Sequence, residues 1–101
     1  MKRTPNQLEI NEHVKDVLRD ALNEFDKSAP PVNLRSCSAK VFETPNYYIL
    51  RSYFTLVAVV SKHNGNLYDA LRLVYGYTST SSQHIRKFGQ DYSTGETFTY
   101  R

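Results

Sequence analysis

Apolar positions first recur with a helical period. At 100° per residue, Ile10, Val14, Val17, Leu18, Ala21, Leu22 and Phe25 fall in one sector. Glu9, Glu12, His13, Asp16, Arg19, Asp20, Asn23 and Glu24 fall on the other side. This predicts one amphipathic helix over residues 5–27 with a single buried stripe. Thr4 and Gln7 form a Thr-x-x-Gln capping box around Pro5, which suits a first helical position; Asn11 is a later alternative start. Pro30 and Pro31 stop the helix, because Ala29 is pushed out of the helical region. About 22 residues at 1.5 Å each make a rod of roughly 33 Å, enough to cross a small sheet.

Ser28–Leu34 reads as a linker, and beyond it the period changes to two. Ala39, Val41 and Glu43 alternate with Lys40 and Phe42 as a first strand. Pro45 and Asn46 make a turn. Tyr47–Val60 exceeds the average strand length. It divides into strands near 46–52 and 54–61, with one bent or bulged strand as the alternative. Phe54, Leu56, Ala58 and Val60 share one face, and Thr55, Val57 and Val59 the other. Two apolar faces imply a central strand covered on both sides.

His63-Asn64-Gly65-Asn66 is the strongest turn, since Asn-Gly supplies the positive φ a hairpin needs. After it, Leu67, Leu71, Leu73, Tyr75 and Tyr77 fit a strand broken by Asp69. Leu67, Ala70, Leu71 and Val74 also fit a short helix capped by Asn66. The hairpin signal favours the strand. Thr80-x-x-Gln83 is a second capping box before a short helix over 81–88, with Ile85, Phe88 and Tyr92 on one face. Gly89 either caps this helix or weakens its middle. Thr94-Gly95 turns the chain into residues 96–100, an edge strand or a frayed tail.

The pattern therefore predicts a single α+β domain over residues 1–101. A long helix covers an antiparallel sheet of three to five strands spanning about 35–77. The short helix tucks Ile85 and Phe88 against an edge or the other face, and a tail or edge strand occupies 93–101. A length of 101 residues, 40% hydrophobic and 23% charged, agrees with one folded domain. No apolar run is long enough for a bilayer span. Polar residues follow Lys2 and Arg3, so no signal-peptide core is present and a cytoplasmic location is expected.

The single cysteine, Cys37, excludes a disulfide framework. It is expected to be a small strand residue. A Cys37–His84 nucleophilic pair can be drawn, but no local signature supports it. His13, His63 and His84 lack ligand spacing, so no metal site is expected. The four glycines are scattered and form no phosphate loop. Neither a cofactor nor an enzymatic activity is expected.

The net charge of +3 is uneven. Residues 1–34 carry −1, and residues 35–61 and 62–101 each carry +2. Glu9, Glu12, Asp16, Asp20 and Glu24 form an acidic helix face. A mimic of a phosphate backbone would require a strongly negative chain, so a solvated face is the better reading. All eight tyrosines lie between Tyr47 and Tyr100, as expected of a sheet with half-buried positions or of a wet interface.

The stretch from Tyr75 to Phe88 carries the sharpest functional expectation. Thr78, Ser79, Thr80, Ser81 and Ser82 precede His84, Arg86 and Lys87 at a helix start. Free N–H groups, hydroxyl donors and bases together suit a phosphate oxygen. The plainer reading is a polar loop, a helix cap and two solvated bases. Thr78, Thr80, Ser82, His84, Arg86 and Lys87 are the candidate nucleic-acid or anion contacts, with Tyr75 and Tyr77 as candidate interface or stacking residues.

Ser52-Tyr53-Phe54-Thr55-Leu56-Val57-Ala58, followed by the Tyr75–Phe88 run, resembles a family of short uncharacterised proteins. These are carried by bacteriophages and mobile elements of Gram-positive bacteria. They are similar in a Ser-Tyr-x-Thr-x-Val-Ala strand and a Tyr-Ser/Thr-x-Thr-Thr-x-x-His-Ile-x-x-Phe helix entry. The resemblance covers residues 38–90. Ser79 to Ser82 depart from the threonine pair, and Phe54 is bulkier than the usual polar residue. It implies a phage or mobile-element origin and a role for the helix entry, with no activity attached.

Two partner classes follow: nucleic acid at the helix entry, or a host protein on the tyrosine-rich sheet surface or acidic helix face, as for an inhibitor of host defence. A self-assembling structural part is a third class.

Overall fold

The computed structural model describes residues 6–34, 36–74 and 79–101, with the side chains of 36–38, 79 and 80 left undescribed. The first helix, α1, runs Gln7–Asn23, and a 3-10 turn over Phe25–Lys27 continues it. The capping differs from the sequence expectation. Asn6 is the N-cap, and its side chain accepts the Glu9 N–H at 2.9 Å. The expected cap, Thr4, and the expected first helical residue, Pro5, lie outside the described residues. Gln7 instead reaches across to the Thr99 carbonyl at 2.9 Å, and Asn11 exchanges two hydrogen bonds with the Arg101 backbone. Both polar side chains thus hold the C-terminal strand against α1.

Among the described residues six strands form one sheet in sequence order: β1 (Val32–Leu34), β2 (Ser36–Glu43), β3 (Tyr47–Ser52), β4 (Thr55–Ser61), β5 (Leu67–Asp69) and β6 (Thr97–Thr99). The expectation of three to five antiparallel strands is corrected on two counts. Part of the predicted linker is β1, which pairs with β2. β6 joins β5 in parallel, because the chain between them crosses over through two helices rather than a hairpin. These helices are α2 (Leu71–Val74) and α3 (Ser79–Tyr92). The ambiguous stretch after the Asn-Gly turn is therefore both elements in turn, β5 and then α2. Asp69 makes the switch by accepting the Leu71 N–H at 3.0 Å.

The second helix is longer than expected, 79–92 rather than 81–88, with Thr80 inside it instead of capping it. Gly89 lies in its interior for packing reasons: a Cβ there would meet Leu67 Cδ2 at 2.9 Å.

The sheet has a core on each side. α1 contributes Val14, Leu18 and Ala21 to one, against Phe42, Tyr47, Ile49, Val59 and Tyr68. α3 contributes Ile85 and Phe88 to the other, against Val41, Leu50, Ala58, Val60 and Leu67. β4 is covered on both faces, as its apolar alternation requires. A register shift between Leu50 and Arg51, opposite Val57, breaks that alternation. Val57 joins the α3 side with Ala58, and Leu56 turns to the α1 side instead of sharing a face with Ala58 and Val60. Leu22, placed in the stripe by periodicity, is 44% exposed.

The tyrosines mostly close these cores. Tyr47 and Tyr68 are buried, and Tyr48 and Tyr92 pack on the α3 side with ring centroids 4.9 Å apart. Among the described tyrosines only Tyr53 is exposed. The acidic face is also partly committed to structure: Asp20 accepts the Tyr47 hydroxyl, and Glu24 holds the β2–β3 turn. No helix among the described residues is long and apolar enough to cross a membrane.

Candidate functional site

The helical period of α3 divides the predicted contact residues. Ser82 and Arg86 are four apart and line a cleft between α3 and the β5–β6 edge. The cleft encloses about 460 Å³, with Leu67 and Ile85 as apolar wall. A second hollow of about 360 Å³ adjoins it and is lined by Asp69, Leu71, Arg72, Ser82, Thr99 and Arg101. Asp69 and Ser82 belong to both, so the two form one groove. Arg72, Arg86 and Arg101 are exposed along it. Arg72 and Arg101 were not singled out in the sequence, because each is an isolated base in its own segment. Only the crossover brings the end of β6 beside α2.

Asp69 is half-buried at the junction. Burial raises its pKa above the ordinary carboxylate value, opposed by the Leu71 N–H and the Arg72 charge. One carboxylate, with the Arg72 charge near it, thus lines a groove that Arg86 and Arg101 also line.

His84 points elsewhere. Its Nδ1 lies 2.8 Å from Ser52 Oγ, which shares a 2.9 Å hydrogen bond with Ser81 Oγ. Ser52 and Ser81 are each 3% exposed, so this part of the hydroxyl run is interior and not offered to a ligand. Burial lowers the His84 pKa. Lys87 is half-buried and paired with Asp91 at 3.4 Å. The side chain of Thr80 is undescribed, and Thr78, Tyr75 and Tyr77 lie outside the described residues. Of the six proposed phosphate contacts, Ser82 and Arg86 share the groove, whereas His84 and Lys87 serve other contacts.

Ser52 opens the β3–β4 hairpin, whose two loop residues are Tyr53 and Phe54. Tyr53 has φ +55° and is 48% exposed, and Phe54 is 95% exposed. Positive φ at the first loop position alone is the pattern of a type II′ turn, where glycine is usual. A tyrosine there costs about 1–2 kcal/mol of backbone strain. The Tyr53 ring lies 5.8 Å from that of His84.

Among the described residues no three His, Cys, Asp or Glu side chains gather as a metal site. No protein-family model matches the chain, and neither the curated proteins nor the solved structures searched hold a match to it.

Proposed function

We propose that the chain is a small non-enzymatic binding module, of phage or mobile-element origin, that grips nucleic-acid phosphates along the α3/β5–β6 groove. The observation that carries this reading is the convergence of Arg72 from α2, Arg86 from α3 and Arg101 from beyond β6 on one groove that Ser82 also lines. Guanidinium groups bind phosphate oxygens through paired N–H donors, and a hydroxyl adds a neutral donor. Such contacts fix a backbone without reading its sequence. The origin rests on the resemblance of residues 38–90. The test is binding of labelled single-stranded DNA and RNA at several salt concentrations. Wild type is expected to weaken linearly in log–log form, and R86A and R72A are each expected to reduce the slope by about one. Absence of salt-sensitive binding to either polymer at low ionic strength overturns the reading.

The β3–β4 tip favours a second reading, a protein-interaction module of the host-inhibitor kind. Phe54 is fully presented on a strained turn, as an anchor for an apolar pocket would be. One stoichiometric host protein, captured by wild type, lost with F54A and insensitive to nuclease, would decide for it.

A further inference from the structure

Arginines engaged on phosphates would leave the groove indifferent to base identity, yet a carboxylate lines both of its hollows. We propose that the groove selects guanine, with Asp69 accepting the N1–H and N2–H donors of the base while the surrounding arginines take the flanking phosphates. This rests on the phosphate reading above and adds a base preference to it.

The argument begins with what a carboxylate repels. Asp69, with the Arg72 charge near it, lines both hollows and weakens the groove for phosphate there. A group that fits there must offer donors. Asp69 Oδ1 already accepts the Leu71 N–H at 3.0 Å, which orients the carboxylate and leaves further lone pairs free. Guanine presents two adjacent N–H donors on its Watson–Crick edge and so matches both carboxylate oxygens. Adenine and cytosine present one donor beside an acceptor, and thymine and uracil flank their single N–H with carbonyls. The hollows, about 460 and 360 Å³, are of a size that holds a nucleotide. The Watson–Crick edge is free only in an unpaired base, so the ligand is single-stranded nucleic acid or a free guanine nucleotide.

The experiment uses three labelled nine-nucleotide thymine strands: one with a central guanine, one with hypoxanthine there, and one all thymine. Hypoxanthine keeps N1–H and deletes the N2 amino group. The guanine strand is expected to bind wild type about tenfold or more tightly than the thymine strand, with hypoxanthine between. Asp69→Asn keeps an oxygen for Leu71 but replaces the other with an NH2 donor. It is expected to bind all three strands alike with the wild-type salt slope, its folding verified by thermal melting. GMP as competitor separates the sources: displacement near its own low concentration indicates a free nucleotide, and displacement only by the strand indicates a polymer. Salt-dependent binding with no loss on going from guanine to hypoxanthine or thymine overturns the guanine proposal and leaves the phosphate reading standing. No salt-dependent binding at all removes both. The hypoxanthine comparison alters only the ligand, so it holds even if Asp69→Asn fails to fold.

Discussion

Glu24 at the end of α1 holds Asn46, 22 residues further along, through both carboxylate oxygens. The Asn46 N–H donates to Oε1 at 2.8 Å and its side-chain amide to Oε2 at 3.0 Å, and the Thr44 hydroxyl also donates to Oε1. Burial favours the neutral acid, but these bonds and nearby Lys27 outweigh it and lower the pKa. Glu24→Ala is therefore expected to cost about 1–2 kcal/mol, the lower range for bonds to a charged group because the site is partly wet. A carboxylate with a lowered folded pKa stabilises above its ordinary value, 4.5, and loses that contribution as pH falls below it. Urea titrations of wild type and variant should differ at neutral pH and converge in acid. A constant difference at all pH values would refute the charge-dependent part.

Gly65→Ala should be more damaging. Gly65 has φ +74°, and a Cβ there would lie 2.0 Å from Thr94 Oγ1 and 3.2 Å from the Gly95 nitrogen. The Gly65 carbonyl accepts the N–H groups of Thr94 and Gly95 and the Ser93 hydroxyl, so this turn anchors the start of β6. We expect a loss of about 2 kcal/mol or more from the left-handed backbone and the displaced neighbour together. Hydrogen exchange provides the check: the Thr94 and Gly95 amides and the β6 amides should lose protection, and unchanged protection would contradict the anchoring role.

The two sheet faces explain which parts of the fold were legible in the sequence. The α1 stripe and the Ile85–Phe88 face were visible because side-chain periodicity reports burial directly. Strands β3 and β4 were visible for the same reason, although the bulge at Val57 was not, since an extra residue leaves composition unchanged. Both β5 and β6 were readable as strands, but their parallel pairing was obscure because contact between residues about 30 apart leaves no local trace. The same crossover assembles the groove, so Arg72 and Arg101 carried no signal, while Ser82 and Arg86 did by sharing one helix. Asp20 and Glu24 resembled solvated acids because nothing in α1 itself reveals that β3 and the β2–β3 turn will meet them.

Phe88 and Leu22 set the scale of the packing argument. Phe88 is fully buried on the α3 side, and its truncation to alanine is expected to cost about 3–5 kcal/mol. Leu22 belongs to the apolar stripe by sequence but stands 44% exposed, so Leu22→Ala is expected to cost less than about 1 kcal/mol. Comparable losses in chemical denaturation would show that α1 docks in a different rotation.

His84 gives the prediction that separates structure from binding at α3. Its ring is held by Ser52 and lies beside Tyr53, and burial favours the neutral form. A histidine whose folded pKa lies below its unfolded value, near 6.5, binds protons more readily in the unfolded chain. Stability from this source is therefore present above pH 6.5 and falls as the solution is acidified through that value. His84→Gln should reduce this acid sensitivity, and the imidazole titration followed by NMR should have its midpoint below 6.5. Ser52→Ala, which removes the partner of both His84 and Ser81, should cost about 1–2 kcal/mol. Because His84 faces the hairpin rather than the groove, His84→Gln should leave the salt slope of nucleic-acid binding unchanged, in contrast to Arg86→Ala. Equal reductions of that slope by the two variants would place the ligand at the helix entry instead of in the α3/β5–β6 groove.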